Sequence, residues 1–490
     1  MNQVETAVNL LSTGLWKFVP LPLLFAGGYF GLRTVLVQIR MIPDMFRSIT
    51  EKPGGKEPDS ASGGISAFKA FTISAASRVG TANVAGVALA ITTGGPGAVV
   101  WMWMIALVGG ATSFVESTLA QLWKVRDGHS YRGGPAYYMT RGLRAPWLAA
   151  IFGVAITITF GLVYNALQTN ALVEAVSFSL GHESVGARFV IGIGMAVLTA
   201  LVIFGGVQRI ANVTQFIVPF MAGAYVIMGV VVIILNFDKV PGMFSDIIGH
   251  ALGLKEIAGA TFGAAFQYGM QRGLFSNEAG EGSAPNAAAT ATVSHPVKQG
   301  LVQTLGVYFD TILVCSITAF IILLSNPTYG SEAQTSSLTQ TALAGEVGGW
   351  GVHFITAVLF FLAFSSVIGN YYLAQANIQY FTDSHRFLTI FRSLVVLCVV
   401  LGAVANVPLV WSMGDMFAGI MVCINIIAIV PLGGVAIKLL KNFNQQRRRG
   451  LDPVFQRDML PEIRNVECWD GSDPVTRMSD AHREAVFGGK

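Results

Sequence analysis

The sequence predicts an all-α integral membrane protein with about eleven transmembrane helices, and three observations predict it. Only 12% of its 490 residues are charged against 53% hydrophobic, with a mean hydropathy of +0.59; a soluble domain usually carries about 25% charged residues. Apolar runs of roughly 20 residues, enough to cross a bilayer, recur along the whole chain. The 55 glycines supply the small side chains through which membrane helices pack closely.

The first run, about 16–36, has no basic stretch ahead of it and carries Pro20 and Pro22. It reads as a retained span rather than a cleaved signal. Further runs cover approximately 65–93, 96–123, 147–180, 187–206, 209–236, 256–285, 297–324, 348–380, 387–411 and 412–438. The total is about eleven, with one either way. Basic loop residues orient them. Arg40, Arg47, Lys52, Lys56, Lys124, Arg126, Arg132, Arg141, Arg144, Arg209, His385, Arg386, Lys438, Lys441 and Arg447 to Arg449 all fall on one side. That side is expected to be the cytoplasm, which puts the amino terminus outside and the carboxy terminus inside a multi-pass cell-membrane protein.

Four regions follow: 1–64, a span and loop; 65–236 and 256–438, two five-span sets; and 439–490, a polar tail. From about Asn442 the tail is expected to be a partly disordered extension. The net charge of +4 is too slight to suggest nucleic acid. Cys315, Cys398 and Cys423 lie in apolar runs and Cys468 in the tail, so they read as small apolar fillers.

Two runs do not read as plain helices. One holds Arg78-Val79-Gly80-Thr81-Ala82-Asn83-Val84-Ala85-Gly86, the other Arg272-Gly273-Leu274-Phe275-Ser276-Asn277-Glu278-Ala279-Gly280-Glu281-Gly282. Glycine and asparagine at this density weaken a continuous helix, and a broken helix in a bilayer must line a protein-enclosed cavity. Unwinding is expected near Gly80 to Asn83 and near Gly273 to Asn277. Both runs contain Asn-x-Ala-Gly, and each opens a set of five spans. Five is odd, so the second set inserts inverted. Interrupted helices at matching places of inverted halves point to the binding site of a secondary transporter.

A zwitterionic substrate needs donors for its carboxylate and acceptors for its ammonium. The amides of Gly80, Thr81 and Ala82, beside the positive end of a half-helix, suit the first role. Gln168 and Asn170 are polar candidates in the fourth span; the alternative is that they bridge helices or cap a kink. Ser365 and Ser366 could ligate an ion or bond their own helix backbone. Arg78, Glu116, Glu174, Glu278 and Asp310 lie at or near membrane depth and are functional suspects. Glu116 and Glu174, near span ends, read as structural ion pairs. Arg78 and Glu278 are a possible gate pair, and Asp310 is the foothold for a proton-coupled alternative. No metal-spaced His/Cys cluster, phosphate loop or lipase elbow occurs, so no enzyme and no cofactor is expected. His295 before Pro296 caps or turns the chain.

Gly80 through Gly86, Gly94-Gly95-Pro96-Gly97-Ala98 with Trp101-Met102-Trp103, Gly133-Gly134-Pro135-Ala136-Tyr137-Tyr138, and Arg272 through Pro285 form a recognisable set. Over roughly 15–440 the chain resembles the alanine/glycine:cation symporters, also called sodium:alanine symporters. The resemblance implies a leucine-transporter-type inverted five-plus-five repeat with one extra amino-terminal span. It implies uptake of small neutral amino acids by alternating access, coupled to sodium. By position it implies substrate among Thr81, Gln168, Phe275 and Asn370, and sodium near the carbonyls of Ala76 and Val79 and the hydroxyls of Ser365 and Ser366. Two departures stand out: Ala82 replaces a usual glycine, and Asn370 replaces a usual tryptophan.

Overall fold

Backbone polar groups in a bilayer must be satisfied internally, and this chain satisfies them with helices. The computed structural model describes residues 3–51, 65–128, 130–255, 261–327, 329 and 336–487. Lys52 and Lys56, named above as basic loop residues, lie outside them. In chain order the helices that position the site are α1 (Gln3–Arg33), α2 (Ala67–Arg78), α3 (Ala85–Gly94), α4 (Ala98–Leu122), α5 (Pro146–Leu180), α6 (Val185–Ile203) and α7 (Gly206–Leu235). They continue as α8 (Phe262–Asn277), α9 (Ala284–Ala288), α10 (Pro296–Leu324), α11 (Trp350–Phe381), α12 (His385–Val404) and α13 (Val407–Arg448). Among the described residues, nine of these are long and apolar enough to cross a membrane. The other four form the two interrupted spans, α2 with α3 and α8 with α9.

α4 packs against α8 and α10, and α3 against α8; α5 packs against α11 and α12, and α6 against α12. α2 meets α7 of its own set and α11 of the second, bringing the first interruption against the second set, while α1 runs along α13. A short antiparallel hairpin, β1 (Val125–Asp127) and β2 (Ser130–Arg132), follows α4. Two π turns, Thr159–Val163 in α5 and Tyr308–Cys315 in α10, re-aim side chains toward the centre.

Four expectations are corrected. The first span begins at Gln3, not near Trp16, because its first turns carry Asn9, Ser12 and Thr13, which line a cavity and dilute the hydropathy. The last two spans divide at Ala405–Asn406 rather than at 411: the Asn406 side chain accepts from Leu409 N (3.1 Å), and Pro408 starts the next helix. The second interruption lies at 278–283, after α8 runs unbroken through Gly273 to Asn277. Gly273 serves close helix contact there; a Cβ would stand 2.5 Å from Ile105 Cγ2 and 3.1 Å from Met102 Cα.

The fourth correction is the tail. α13 continues to Arg448, and the following residues fold back over the ends of α4 and α10. Phe455, Cys468 and Trp469 are buried. Phe455 N donates to Ser294 O (2.8 Å), Trp469 Nε1 to Gln121 O (3.1 Å) and Trp123 Nε1 to Arg464 O (3.1 Å). Ion pairs Arg126–Asp470, Arg141–Glu467 and Lys438–Glu462 fasten the rim. Polar composition hid two aromatic anchors and a charge pattern matched to the basic loops.

Candidate functional site

The first interruption is built from non-helical backbone. α2 ends at Arg78, Val79 turns the chain (φ −80°, ψ 81°), Gly80 is extended, and a 3-10 turn over Thr81–Asn83 leads into α3. Asn83 holds the turn: its Oδ1 accepts from Gly80 N (2.9 Å), and its Nδ2 donates to Asp310 Oδ1 (2.6 Å). Asp310, in the π turn of α10, also accepts from Ser276 (2.8 Å) and Thr311 (2.8 Å). One fully satisfied carboxylate thus ties both interrupted spans to α10.

Gln168 faces this break, with Oε1 accepting from Thr81 N (2.9 Å). Ser366 approaches from α11, its hydroxyl 3.5 Å from the Val79 carbonyl. Space there is minimal: a Cβ on Gly80 would lie 2.6 Å from Ser366 Oγ and 2.7 Å from Gln168 Nε2. The amides of Gly80 and Thr81 are therefore engaged internally, while the buried Thr81 hydroxyl has no partner among the described residues. Ser365 bonds Leu362 O of its own helix (3.1 Å). Ala76 lies where α11 comes closest, beneath Gly369. Asn370 is fully buried beside it; its Oδ1 accepts from the Ser77 hydroxyl (2.6 Å) and its Nδ2 has no partner among the described residues.

Phe275 closes the opposite wall, its ring 5.0 Å from Tyr164 and 6.0 Å from Trp411. Thr81, Ala82, Gln168, Phe275 and Asn370 are all buried, so the centre is enclosed. Toward the amino-terminal face, Arg272 and Asp415 pair at 2.5 Å, both nearly inaccessible. Above them lies a cavity of about 440 Å³ whose lining includes Trp16, Gln271 and Trp411. Trp16 Nε1 donates to the Asp415 carbonyl (2.9 Å), so α1 steadies this pair. A buried ion pair contributes little net stability but breaks at high cost, which suits a closure with two discrete positions.

Several suspects take structural places. Asn170 donates to the Gly402 and Ala405 carbonyls (2.9 and 3.0 Å), capping α12 rather than facing the break. Glu116 forms no ion pair among the described residues; it accepts from Gly280 N (3.2 Å) and Asn425 Nδ2 (2.8 Å), clamping the second interruption. Arg78 and Glu278 do not pair either: Arg78 donates to Gln303 O (3.1 Å), and Glu278 accepts from Ser283 and lies 3.1 Å from the Ser77 hydroxyl, whose single proton it shares with the nearer Asn370. His295 caps α10, its Nδ1 accepting from Val297 N (3.2 Å), and burial pushes its imidazole down to about 3.

Sequence reasoning missed Asp415 and Glu281, both carboxylates at membrane depth. The rule that flagged Asp310 would have found them. It also missed Tyr164 and Trp411, whose tilted ring contacts with Phe275 no periodicity signals.

Two interrupted spans facing each other around an enclosed polar centre, with a closed ion pair on one side, define a secondary transporter. A solved structure described as MhsT in complex with L-phenylalanine superposes with a TM-score of 0.53 at 10% identity, covering 80% of this chain and 99% of that one; the shared fold is the leucine-transporter type. The Sodium:alanine symporter family profile matches residues 1–457, and the chain belongs to that family. Among its relatives are the amino-acid carrier protein AlsT of Bacillus subtilis (strain 168), 49% identical over 95% of this chain and 98% of that one, and the probable sodium/glutamine symporter GlnT of the same organism, 43% identical over 99% and 100%. This protein is a multi-pass membrane symporter of alanine-like amino acids.

Proposed function

We propose that inward sodium movement drives uptake of small neutral amino acids, alanine, glycine or a close polar relative, through the first interruption. The observation that carries this reading is the convergence of Gln168 and Ser366 on Gly80, where no side chain larger than hydrogen fits. Thr81, Gln168 and Phe275 bind the substrate with the Gly80–Ala82 backbone. Its arrival displaces Gln168 from the Thr81 amide, and the freed N–H and hydroxyl receive the carboxylate. Sodium sits between the Ala76 and Val79 carbonyls and the hydroxyls of Ser365 and Ser366, which supplies several oxygens without a carboxylate. Rocking of one helix group on the other opens the Arg272–Asp415 side and then the tail side, which is cytoplasmic.

Asn370 sets substrate size and polarity. Its Nδ2, without a partner among the described residues, and the neighbouring Ser77 hydroxyl favour serine or glutamine alongside alanine, in keeping with the relative GlnT, a probable sodium/glutamine symporter. The test is uptake of labelled alanine and glutamine into proteoliposomes with and without an inward sodium gradient. Uptake indifferent to sodium refutes the coupling.

A further inference from the structure

On the face that carries the tail, a cavity of about 330 Å³ opens between the end of α4, the short helix Pro135–Arg141 with the turn after it, α13 and tail residues 462–465. Its charge is one-sided: Arg141, Arg144, Lys438 and Arg464 line it against the single carboxylate of Glu462. Two of these cations are already engaged. Lys438 pairs with Glu462 (3.0 Å) and Arg141 with Glu467 (2.6 Å), solvent-accessible pairs of the kind that contribute little. Arg144 and Arg464 have no side-chain partner among the described residues.

The backbone holds both unpaired guanidiniums at the cavity. Arg144 sits at φ +58°, a left-handed conformation uncommon for any residue with a side chain. The Arg464 carbonyl accepts from Trp123 Nε1 (3.1 Å), and beside it Asn465 Nδ2 donates to the Arg141 carbonyl (2.9 Å). The wall contributed by α13 is amphiphilic. Leu432, Val435 and Lys438 follow at three-residue spacing, so one stripe of the helix changes from apolar to charged over about 9 Å. Trp147, three residues beyond Arg144 and 64% exposed, is the kind of side chain that lies at the headgroup level of a bilayer. A free phosphate would use the cations alone; a ligand matched to the whole cavity carries an anion at one end and hydrocarbon at the other.

We infer that this cavity binds the headgroup of an anionic phospholipid, with its phosphate between Arg144 and Arg464 and an acyl chain along Leu432 and Val435. Arginine forks suit phosphate oxygens, and basic pockets between membrane helices are where such headgroups dock. One guanidinium belongs to the tail and the other to the loop before α5, so a bound headgroup favours the docked tail by mass action. Nothing in the site depends on which substrate or ion is carried.

The test uses purified full-length protein, with phosphatidylglycerol and phosphatidylcholine titrated by native mass spectrometry and tail cleavage by protease followed in nanodiscs of each composition. Wild-type protein should prefer phosphatidylglycerol and lose its tail more slowly in discs that contain it. Arg144→Gln and Arg464→Gln should each weaken that binding about fivefold, the size of one basic residue near an anionic surface, and hasten cleavage. Both side chains are exposed and unpaired, and if either variant fails to fold the other decides. Arg386→Gln removes an exposed charge outside the lining and should change neither readout. Equal binding of the two lipids, or cleavage indifferent to lipid, overturns the inference. An equal loss in Arg386→Gln overturns it in favour of diffuse surface charge. Tail protection by soluble glycerol phosphate matching that by phosphatidylglycerol overturns the lipid assignment in favour of a free anion.

Discussion

Replacing Gly80 by alanine probes the centre at its tightest point. Gly80 has φ −121° and ψ −163°, extended backbone that alanine adopts freely, so the effect is one of space alone. The new methyl would stand 2.6 Å from Ser366 Oγ and 2.7 and 3.0 Å from Gln168 Nε2 and Oε1. Ordinary contact needs about 3.5–4 Å, so both side chains retreat by roughly 1 Å. Such overpacking costs about 1–3 kcal/mol, and a displacement of about 1 Å at a site can cost a hundredfold. Because the moving groups are the proposed substrate and sodium ligands, the loss falls on function. The apparent affinities for both should drop roughly five- to hundredfold. The assay is proteoliposome uptake as a function of substrate and of sodium, beside the melting temperature of the purified protein. Adding Ser366→Ala relieves the Ser366 part of the clash without restoring the oxygen, so the two substitutions should be non-additive. Wild-type sodium and substrate dependence in Gly80→Ala would refute the location of the site.

Ser366→Ala should raise the sodium concentration for half-maximal uptake about ten- to hundredfold, the loss of about 1.5–3 kcal/mol for a charge-assisted contact; Ser365→Ala, whose hydroxyl already bonds its own helix, should shift it less. Equal wild-type behaviour of both moves the ion elsewhere. Asn370→Trp should narrow the substrate range toward alanine and glycine in competition uptake, and an unchanged ranking would show that this position does not set selectivity. His295 titrates near 3 in the folded protein against 6.5 when free. Lowered for a base, that value means stability is present above about 6.5 and is lost as pH falls toward 3, because only the undocked state takes up the proton. Protease cleavage of the tail should therefore rise on acidification, and His295→Asn, a cap that does not titrate, should flatten that response.

The span pattern was legible because hydropathy over twenty residues is a strong, local signal. The limits of the first and last spans were not, since Asn9, Ser12 and Thr13 face a cavity and Asn406-Val407-Pro408 turns the chain in too few residues for a hydropathy window to register. The break at Gly80–Asn83 was readable from composition. The second was misplaced because glycine has two uses: Gly273 admits a neighbouring helix, whereas Gly280 and Gly282 supply positive φ. Gln168 and Ser366 were found by position along matching spans and do meet the break. Which hydroxyl of the serine pair faces it depended on helix rotation and on hydrogen bonds made between distant segments.

The docked tail bears on how this protein is made. Trp469 bonds Gln121 across 348 positions of sequence, and Arg464 receives Trp123 across 341. Segments near the amino terminus fold first during synthesis, so Gln121, Trp123 and Lys124 wait for partners until the distant tail segment has been made. Lys124 is the most exposed to that delay. Its ammonium ends up buried, donating to Ala291 O (3.1 Å) and resting 4.5 Å from the Trp469 ring. A chain that terminates before the tail keeps every membrane helix yet leaves this lysine and the end of α4 uncovered. Docking of residues 451–476 thus covers Lys124 and the end of α4 only after every membrane helix has been made.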